Sequence, residues 1–412
     1  MTKLEELIQE LCPNGVKYLT IPELFITRNG YTPSKANAEF WGNGTIPWFR
    51  MEDIRENGRI LTKSTQYVSE KAIKGKLFPE DSIIIATSAT IGEHALIKVP
   101  SLANQRFTYL VLKDEFKSSV DMMFIFYYCF KLDEFCKTHL NQGNFASVDM
   151  KQFAEFKFPL PPLPVQREIV RSLDNFTELT AELQEELQAR KKQYEYYHNA
   201  LMDFSNENIE YLSVGELFEI KNGLNKEKAA FGKGKPIINF TDVYNNRWLA
   251  NGSFSGLVDV LDDEIKRYSA KIGDVFFTRT SETKEDIGMS STLVENVPNC
   301  VFSGFVLRAR PTTNLLLPKF CSYYFSTKQV RNTIVRYAAF TTRATTTGQK
   351  LSKIIVPILP IERQRRIVAI LDRFYALCND LTSGLPAEIE ARQKQYEYYR
   401  DKLLSFHPLS QP

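Results

Sequence analysis

Apolar and part-polar positions recur at alternating steps of four and three from residue 169 to 204. They are Ile169, Leu173, Phe176, Thr180, Leu183, Leu187, Arg190, Tyr194, Tyr197, Leu201 and Phe204. This is a heptad seam with no Gly or Pro inside it, and it predicts a long helix paired along one stripe. At about 1.5 Å per residue, the stretch predicts a rod of roughly 54 Å. A second seam runs through Ile367, Leu371, Phe374, Cys378, Leu381, Leu385, Ile389, Arg392, Tyr396, Tyr399, Leu403 and Phe406. Between Leu381 and Ile389 it takes two consecutive steps of four, and Gly384 and Pro386 fall there. A bend is expected at that point, with Pro386 near a new helix start. Leu4, Ile8 and Leu11 repeat the spacing in miniature and predict an amphipathic helix over 3–12.

The stretches before each seam have a different pattern. DSIIIATSA, FTYLVL, GDVFFTRTS and FSGFVLRAR are short β-type runs between turn signals. DMMFIFYYCFKLDEFCKTHL and LPKFCSYYFSTKQVRNTIVRYA are helical stretches placed late in each segment. Proline clusters at 159–164 and 357–360 close these segments before the long helices begin. The fold class is therefore α+β: two globular α/β segments with a mixed or antiparallel sheet, separated by two long helices. The expected boundaries are 1–160, 161–204, 205–356 and 357–412.

The alternation reflects an internal repeat. PLPPLPVQREIVRSLDNFTEL (159–179) matches PILPIERQRRIVAILDRFYAL (357–377), pairing Gln166 with Gln364 and Asp174 with Asp372. YLTIPELFITRNG (18–30) matches YLSVGELFEIKNG (211–223), and KQYEYY occurs at both 192–197 and 394–399. Duplication of this kind predicts a pseudo-two-fold arrangement in which the two long helices run antiparallel as a coiled coil. Because the helix over 3–12 resembles the end of the first long helix, the beginning of the chain is expected beside the end of the second.

Composition narrows the class. Of 412 residues, 25% are charged and 43% hydrophobic, as in an ordinary globular protein. No apolar run approaches the ~20 residues needed to cross a bilayer, so no membrane association is expected. The first residues, MTKLEELIQEL, are charged and amphipathic, unlike a signal peptide. Six scattered cysteines without a CxxC pair point to reduced thiols and a cytoplasmic location. The net charge is only +3, but residues 205–356 hold 20 basic against 15 acidic groups, whereas 1–160 hold 19 of each. Attraction to phosphate is expected to be stronger in the second segment.

The two segments differ most in polar loops: WFRMED, ATSATIG, ANQR and LNQGNFAS in the first, NFTDVYNNRW, TRTSETK and FTTRATTTGQK in the second. Asn, Gln, Arg, Thr and Ser are the side chains that contact base edges and phosphates. Arg50, Gln105, Arg106, Asn144, Arg247, Arg279, Thr280 and Arg343 are the candidate DNA contacts. On the helices, Lys192, Tyr196 and Tyr197, with Lys394, Tyr398 and Tyr399, are candidates for docking a partner, since aromatic residues are enriched at interfaces.

No catalytic constellation emerges. Phe40, Gly42 and Gly44 fit only the loose F-x-G-x-G pattern of S-adenosylmethionine pockets. Asp274, Glu282 and Lys284 resemble a nuclease triplet faintly. The four histidines have no metal-ligand spacing, and no phosphate-binding GxxxxGK[ST] occurs. A coiled-coil adaptor that binds protein and a self-sufficient enzyme are the other two classes.

The proline-led PLPPLPVQREIV and PILPIERQRRIV, both KQYEYY segments and YLSVGELFEIKNG together resemble the specificity subunit of type I restriction-modification systems. The resemblance extends over essentially the whole chain. It implies a non-catalytic subunit of a restriction endonuclease and N6-adenine methyltransferase complex. Each globular segment would bind one part of a bipartite, asymmetric double-stranded DNA target. The helices would set the spacer and dock two methyltransferase subunits, and through them restriction subunits. It also implies that S-adenosylmethionine, ATP and Mg²⁺ bind the partners and that this chain binds no cofactor.

Overall fold

A computed structural model describes residues 3–141 and 146–409. The chain divides into two compact units: residues 1–182 with 390–412, and residues 183–389. Both cuts fall inside the long helices.

Each unit is built on a five-stranded sheet. In the first unit the strand order is Phe25–Asn29, Phe107–Leu112, Ser82–Ala86, His94–Ile97 and Ile60–Leu61. In the second it is Phe218–Asn222, Val306–Pro311, Val275–Thr278, Ser290–Leu293 and Trp248–Leu249. Neighbours run antiparallel except the last pair of each sheet, which is parallel. A smaller three-stranded sheet accompanies each: Tyr67–Val68, Ile46–Phe49 and Leu102–Ala103 in the first unit, and Leu257–Val258, Phe231–Ile238 and Val301–Phe302 in the second. The mixed sheet expected from the alternating runs is present in both.

Why SIIIA and VFFT carry no polar alternation is clear from their surroundings. A strand sends successive side chains to opposite faces. Ile83 and Ile85 enter a core shared with the helices, while Ile84 and Ala86 enter the core of the small sheet. Val275 and Phe277 face helices in the same way, and Phe276 faces the small sheet. Both faces are buried, so both must be apolar. All six cysteines are buried and free.

The first long helix runs Leu163–Leu201, 39 residues. It starts six residues before the first seam position because Pro164 lies in the first helical turn, where a missing N–H costs nothing. It stops short of residue 204: Met202 and Phe204 instead fold into the second unit's core. The second block breaks at the expected place, into Ile361–Asn379 and Leu385–Leu403. Asp380 stabilises the break by accepting from the Thr382 N–H and hydroxyl and from the Ser383 hydroxyl, at 2.6–2.7 Å. Those donors lower its carboxyl pKa to about 2.

Each unit packs a piece of the first helix against a piece of the second block. In the first unit Phe176 stacks on Tyr399 with ring centres 5.4 Å apart. In the second, Tyr197 stacks on Phe374 at 5.6 Å. The start of the first helix thus meets the end of the second block, and its end meets the second block's start, the pairing order of antiparallel helices. The short helix Lys3–Leu11 packs beside the chain's last helix: Leu4 and Leu404 share a core, and the Val16 N–H donates to His407 O at 2.9 Å. The expected meeting of the chain's beginning with the second block's end is found.

Candidate nucleic-acid interface

In the first unit the strand Ile46–Phe49 ends at Arg50, which precedes the helix Met51–Asn57. The Arg50 N–H donates to Asp53 Oδ2 at 2.7 Å. Buried Asp53 also accepts from Ser64 Oγ and from the Thr65 N–H and hydroxyl, at 2.6–3.1 Å. One carboxylate therefore fixes both the strand end and the facing turn. The Arg50 guanidinium donates to Thr65 Oγ1 at 3.1 Å and lies 5.9 Å from the Trp48 ring centre. It lines a cleft of about 640 Å³ together with Gln105, Arg106, Lys35, Gln66 and Trp41. Thus three of the sequence candidates, far apart in the chain, meet at one place. Gln105 takes the hydroxyl of Thr32. The exposed Arg106 guanidinium has no hydrogen bond or ion pair among the described residues. Asn144 lies outside the described residues.

In the second unit Thr280 sits in a short strand, Thr280–Ser281, paired with Ala344–Thr345. The register of this pairing sets Arg343 across from Glu282, and Thr280, Glu282 and Arg343 line a cleft of about 360 Å³ with Phe240, Tyr244 and Phe305. Arg279 is next to it, its guanidinium 3.5 Å from Gly304 O. Arg343 and Glu282 form an exposed ion pair at 3.8 Å. The charge of Asp286 raises the pKa of the Tyr244 hydroxyl.

Backbone hydrogen bonds show which positions of the two clefts correspond. The Asn104 N–H donates to Phe49 O, as Ser303 does to Ile238 O, both at 3.0 Å. The Asn239 N–H donates to Asp242 Oδ2 at 2.7 Å, which makes Asn239 the counterpart of Arg50. The Thr87 N–H donates to Arg106 O at 2.9 Å, and the Arg279 N–H donates to Phe305 O at 3.0 Å. Arg106 and Phe305 therefore stand at one scaffold position with opposite chemistry.

Arg247, grouped with the loop candidates from its sequence, is placed elsewhere. Its guanidinium lies 5.1–5.7 Å from the ring centres of Tyr194, Tyr323 and Tyr375 and donates to Ser326 Oγ at 2.6 Å. Its counterpart, just before the parallel edge strand of the first unit, is Arg59, paired with buried Asp133 at 3.1 Å. Both arginines anchor a sheet edge to helices. The other motifs also have packing roles. A Cβ on Gly44 would lie 2.6 Å from the Val68 backbone, so the glycine is required by a close approach. Asp274 is buried and paired with Arg310 at 2.7 Å, at the opposite end of the strand Val275–Thr278 from Glu282. Among the described residues no cluster of His, Cys, Asp or Glu could hold a metal ion, and no helix is long and apolar enough to cross a membrane.

A family described as "Type I restriction modification DNA specificity domain" matches residues 13–190 and again 206–391. The chain belongs to this specificity family. It is similar to the EcoprrI specificity subunit of Escherichia coli, 51% identical over 222 residues, covering 50% of this chain and 55% of that one. It therefore spans little more than half the length of that relative. The EcoR124I/EcoR124II specificity subunit of Escherichia coli is 33% identical over 289 residues, 64% of this chain and 68% of that one. Two solved structures share the fold. One, from a study of complex assembly and conformational transition of the type I R-M system, has a TM-score of 0.65 at 15% identity, covering 95% of this chain and 98% of that one. The HsdS subunit from Thermoanaerobacter tengcongensis has a TM-score of 0.55 at 16% identity, covering 96% and 97%.

On the helices of this specificity-family chain, the two copies of KQYEYY are split in the same way. Tyr196 and Tyr398 point outward, 69% and 63% exposed. Tyr197 and Tyr399 are committed to the stacks on Phe374 and Phe176. Lys192 and Tyr196 line a shallow groove with Glu195, Asn199 and Lys328. Lys394 pairs with Glu390 at 2.6 Å, one helical turn away. Lys35, Gln66, Tyr244 and Phe305 were not among the sequence candidates. A lone polar residue or aromatic in a loop gives no signal until folding places it against others.

Proposed function

We propose that the chain is the DNA-recognition subunit of a type I restriction-modification complex and carries no reaction of its own. Each unit binds one half of a bipartite, asymmetric duplex target through its cleft. The proposed recognition domains are residues 1–160 and 205–356, with helical spacers at 161–204 and 357–412. Arg50, Gln105, Arg106 and Asn144 serve the first half-site, and Arg279, Thr280 and Arg343 the second. The exposed helical faces with Lys192 and Tyr196, and Lys394 and Tyr398, dock two methyltransferase subunits, and restriction subunits join through these. S-adenosylmethionine, ATP and Mg²⁺ belong to those partners, and the complex works on DNA in the cytoplasm.

One observation supports the reading above all others: two units share a scaffold down to individual hydrogen bonds, yet line their clefts with different side chains. A scaffold built twice with different polar tips suits two different DNA words. Residues 1–160 should be replaced by the matching segment of another specificity subunit, and genomic methylation mapped by long-read sequencing. One half of the methylated motif should change and the other stay. A motif unaffected by the replacement, or by deletion of the gene, overturns the reading.

A further inference from the structure

The two clefts carry opposite chemistry at a position where their backbone hydrogen bonds correspond. We propose that Arg106 and Phe305 are paired specificity determinants: Arg106 selects a guanine in one half-site, and Phe305 selects the 5-methyl group of a thymine in the other. The inference rests on the reading that each unit binds duplex DNA.

Both residues follow the same sheet element and offer their carbonyl to the same partner, Thr87 in one unit and Arg279 in the other. Each is followed by a buried residue, Phe107 or Val306, that starts a core strand. The buried strand holds the backbone, and only the side chain varies. Arg106 offers a planar fork of N–H donors that no described group occupies. In the major groove, that fork matches the O6 and N7 acceptors of guanine. Asn104 supports it by accepting from the Arg106 N–H at 3.0 Å.

Phe305 is 66% exposed, and its ring meets no other aromatic ring among the described residues. A phenyl ring held in water on a turn can neither donate nor accept a hydrogen bond. The one apolar group on a major-groove edge is the thymine methyl. Arg279 donates its backbone N–H to Phe305 O and its guanidinium lies 3.5 Å from Gly304 O, and Arg343 lines the same cleft, so cations are at hand for the flanking phosphates.

Duplexes should be selected from a randomised pool by the full chain assembled with its methyltransferase, and by Phe305→Ala and Arg106→Ala assemblies. Thermal melting serves as the control for folding, and both side chains are exposed. Phe305→Ala should relax one thymine in one half-site, and Arg106→Ala one guanine in the other. On the selected duplex, deoxyuridine in place of that thymidine removes only the methyl. It should weaken the unmodified assembly by about fourfold, the worth of one buried methyl group. The Phe305→Ala assembly should be indifferent to it. For 7-deazaguanine the unmodified assembly should lose binding and Arg106→Ala should not, within a discrimination of roughly 5- to 150-fold. If both variants select the unmodified motif, or weaken all duplexes equally, the inference fails. If the unmodified assembly selects no bipartite motif, DNA recognition itself fails.

Discussion

The two units agree inside and disagree at their clefts. Near their helices the agreement reaches individual atoms. Gln166 donates to Pro161 O and Ser119 O and accepts from the Asp121 N–H, at 2.7–2.9 Å. Gln364 does the same with Leu359 O, Leu315 O and the Leu317 N–H, also at 2.7–2.9 Å. The Tyr127 hydroxyl donates to Asp174 at 2.5 Å, and Tyr323 to Asp372 at 2.7 Å. A buried polar group left without its partner costs about 1–3 kcal/mol, so such networks tolerate little change. At the clefts, by contrast, Arg50 corresponds to Asn239 and Arg106 to Phe305. Arg106 and Phe305 are exposed, bear no such penalty and are free to differ.

The largest test of the likeness is in the cores. Leu173 and Leu371 are fully buried counterparts. Leu173→Ala should cost the first unit about 2–5 kcal/mol, and Leu371→Ala should cost the second as much. Amide hydrogen exchange resolved by peptide should show each loss confined to its own unit. A variant that loosens both equally would mean that the units do not fold independently.

A smaller effect should separate the units. The residue after KQYEYY is His198 in one copy and Arg400 in the other. Buried His198 donates to Tyr323 O at 2.8 Å, and burial with the nearby Arg247 charge lowers its pKa from 6.5 to about 4. The unfolded chain takes up that proton near pH 6.5, and the folded unit resists it. This contribution is therefore complete above pH 6.5 and is lost as pH falls towards 4, with a limit on the order of 3 kcal/mol. In the first unit the matching place holds no histidine: Arg400 lies over the Phe130 ring, 4.6 Å from its centre. His198→Gln should flatten the acid dependence of the second unit's exchange protection and leave the first unit's unchanged.

Removing one hydroxyl should matter less again. Tyr127→Phe and Tyr323→Phe each delete a hydrogen bond to a carboxylate, worth about 1.5–3 kcal/mol. Tyr323→Phe should cost less, because Lys319 also holds Asp372 at 2.7 Å. Chemical denaturation of the two variants checks the order. The smallest change in stability is expected on the helices. Tyr196→Ala and Tyr398→Ala should stay within about 0.5 kcal/mol of the unsubstituted chain. Mass photometry with the methyltransferase should nevertheless find one bound copy fewer for each.

The seams, the break near Gly384 and the duplication were all legible along the chain, because helical periodicity and long repeats are local or self-referential signals. KQYEYY could be divided into seam and outward positions for the same reason. Even the pairs Gln166 with Gln364 and Asp174 with Asp372 could be found by alignment, although their partners could not. What only the tertiary structure decided was which loops converge. Arg50, Gln105 and Arg106 meet because two strand ends are held side by side, and Thr280 and Arg343 come to line one cleft through a two-residue strand pairing. Arg247 went the other way, drawn among three tyrosine rings that its loop sequence gave no hint of. Phe305 lies within the β-type run FSGFVLRAR, and only the fold turns its side chain out to solvent. Periodicity shows which face of an element is apolar, whereas the neighbours of a loop side chain depend on contacts between residues far apart in sequence.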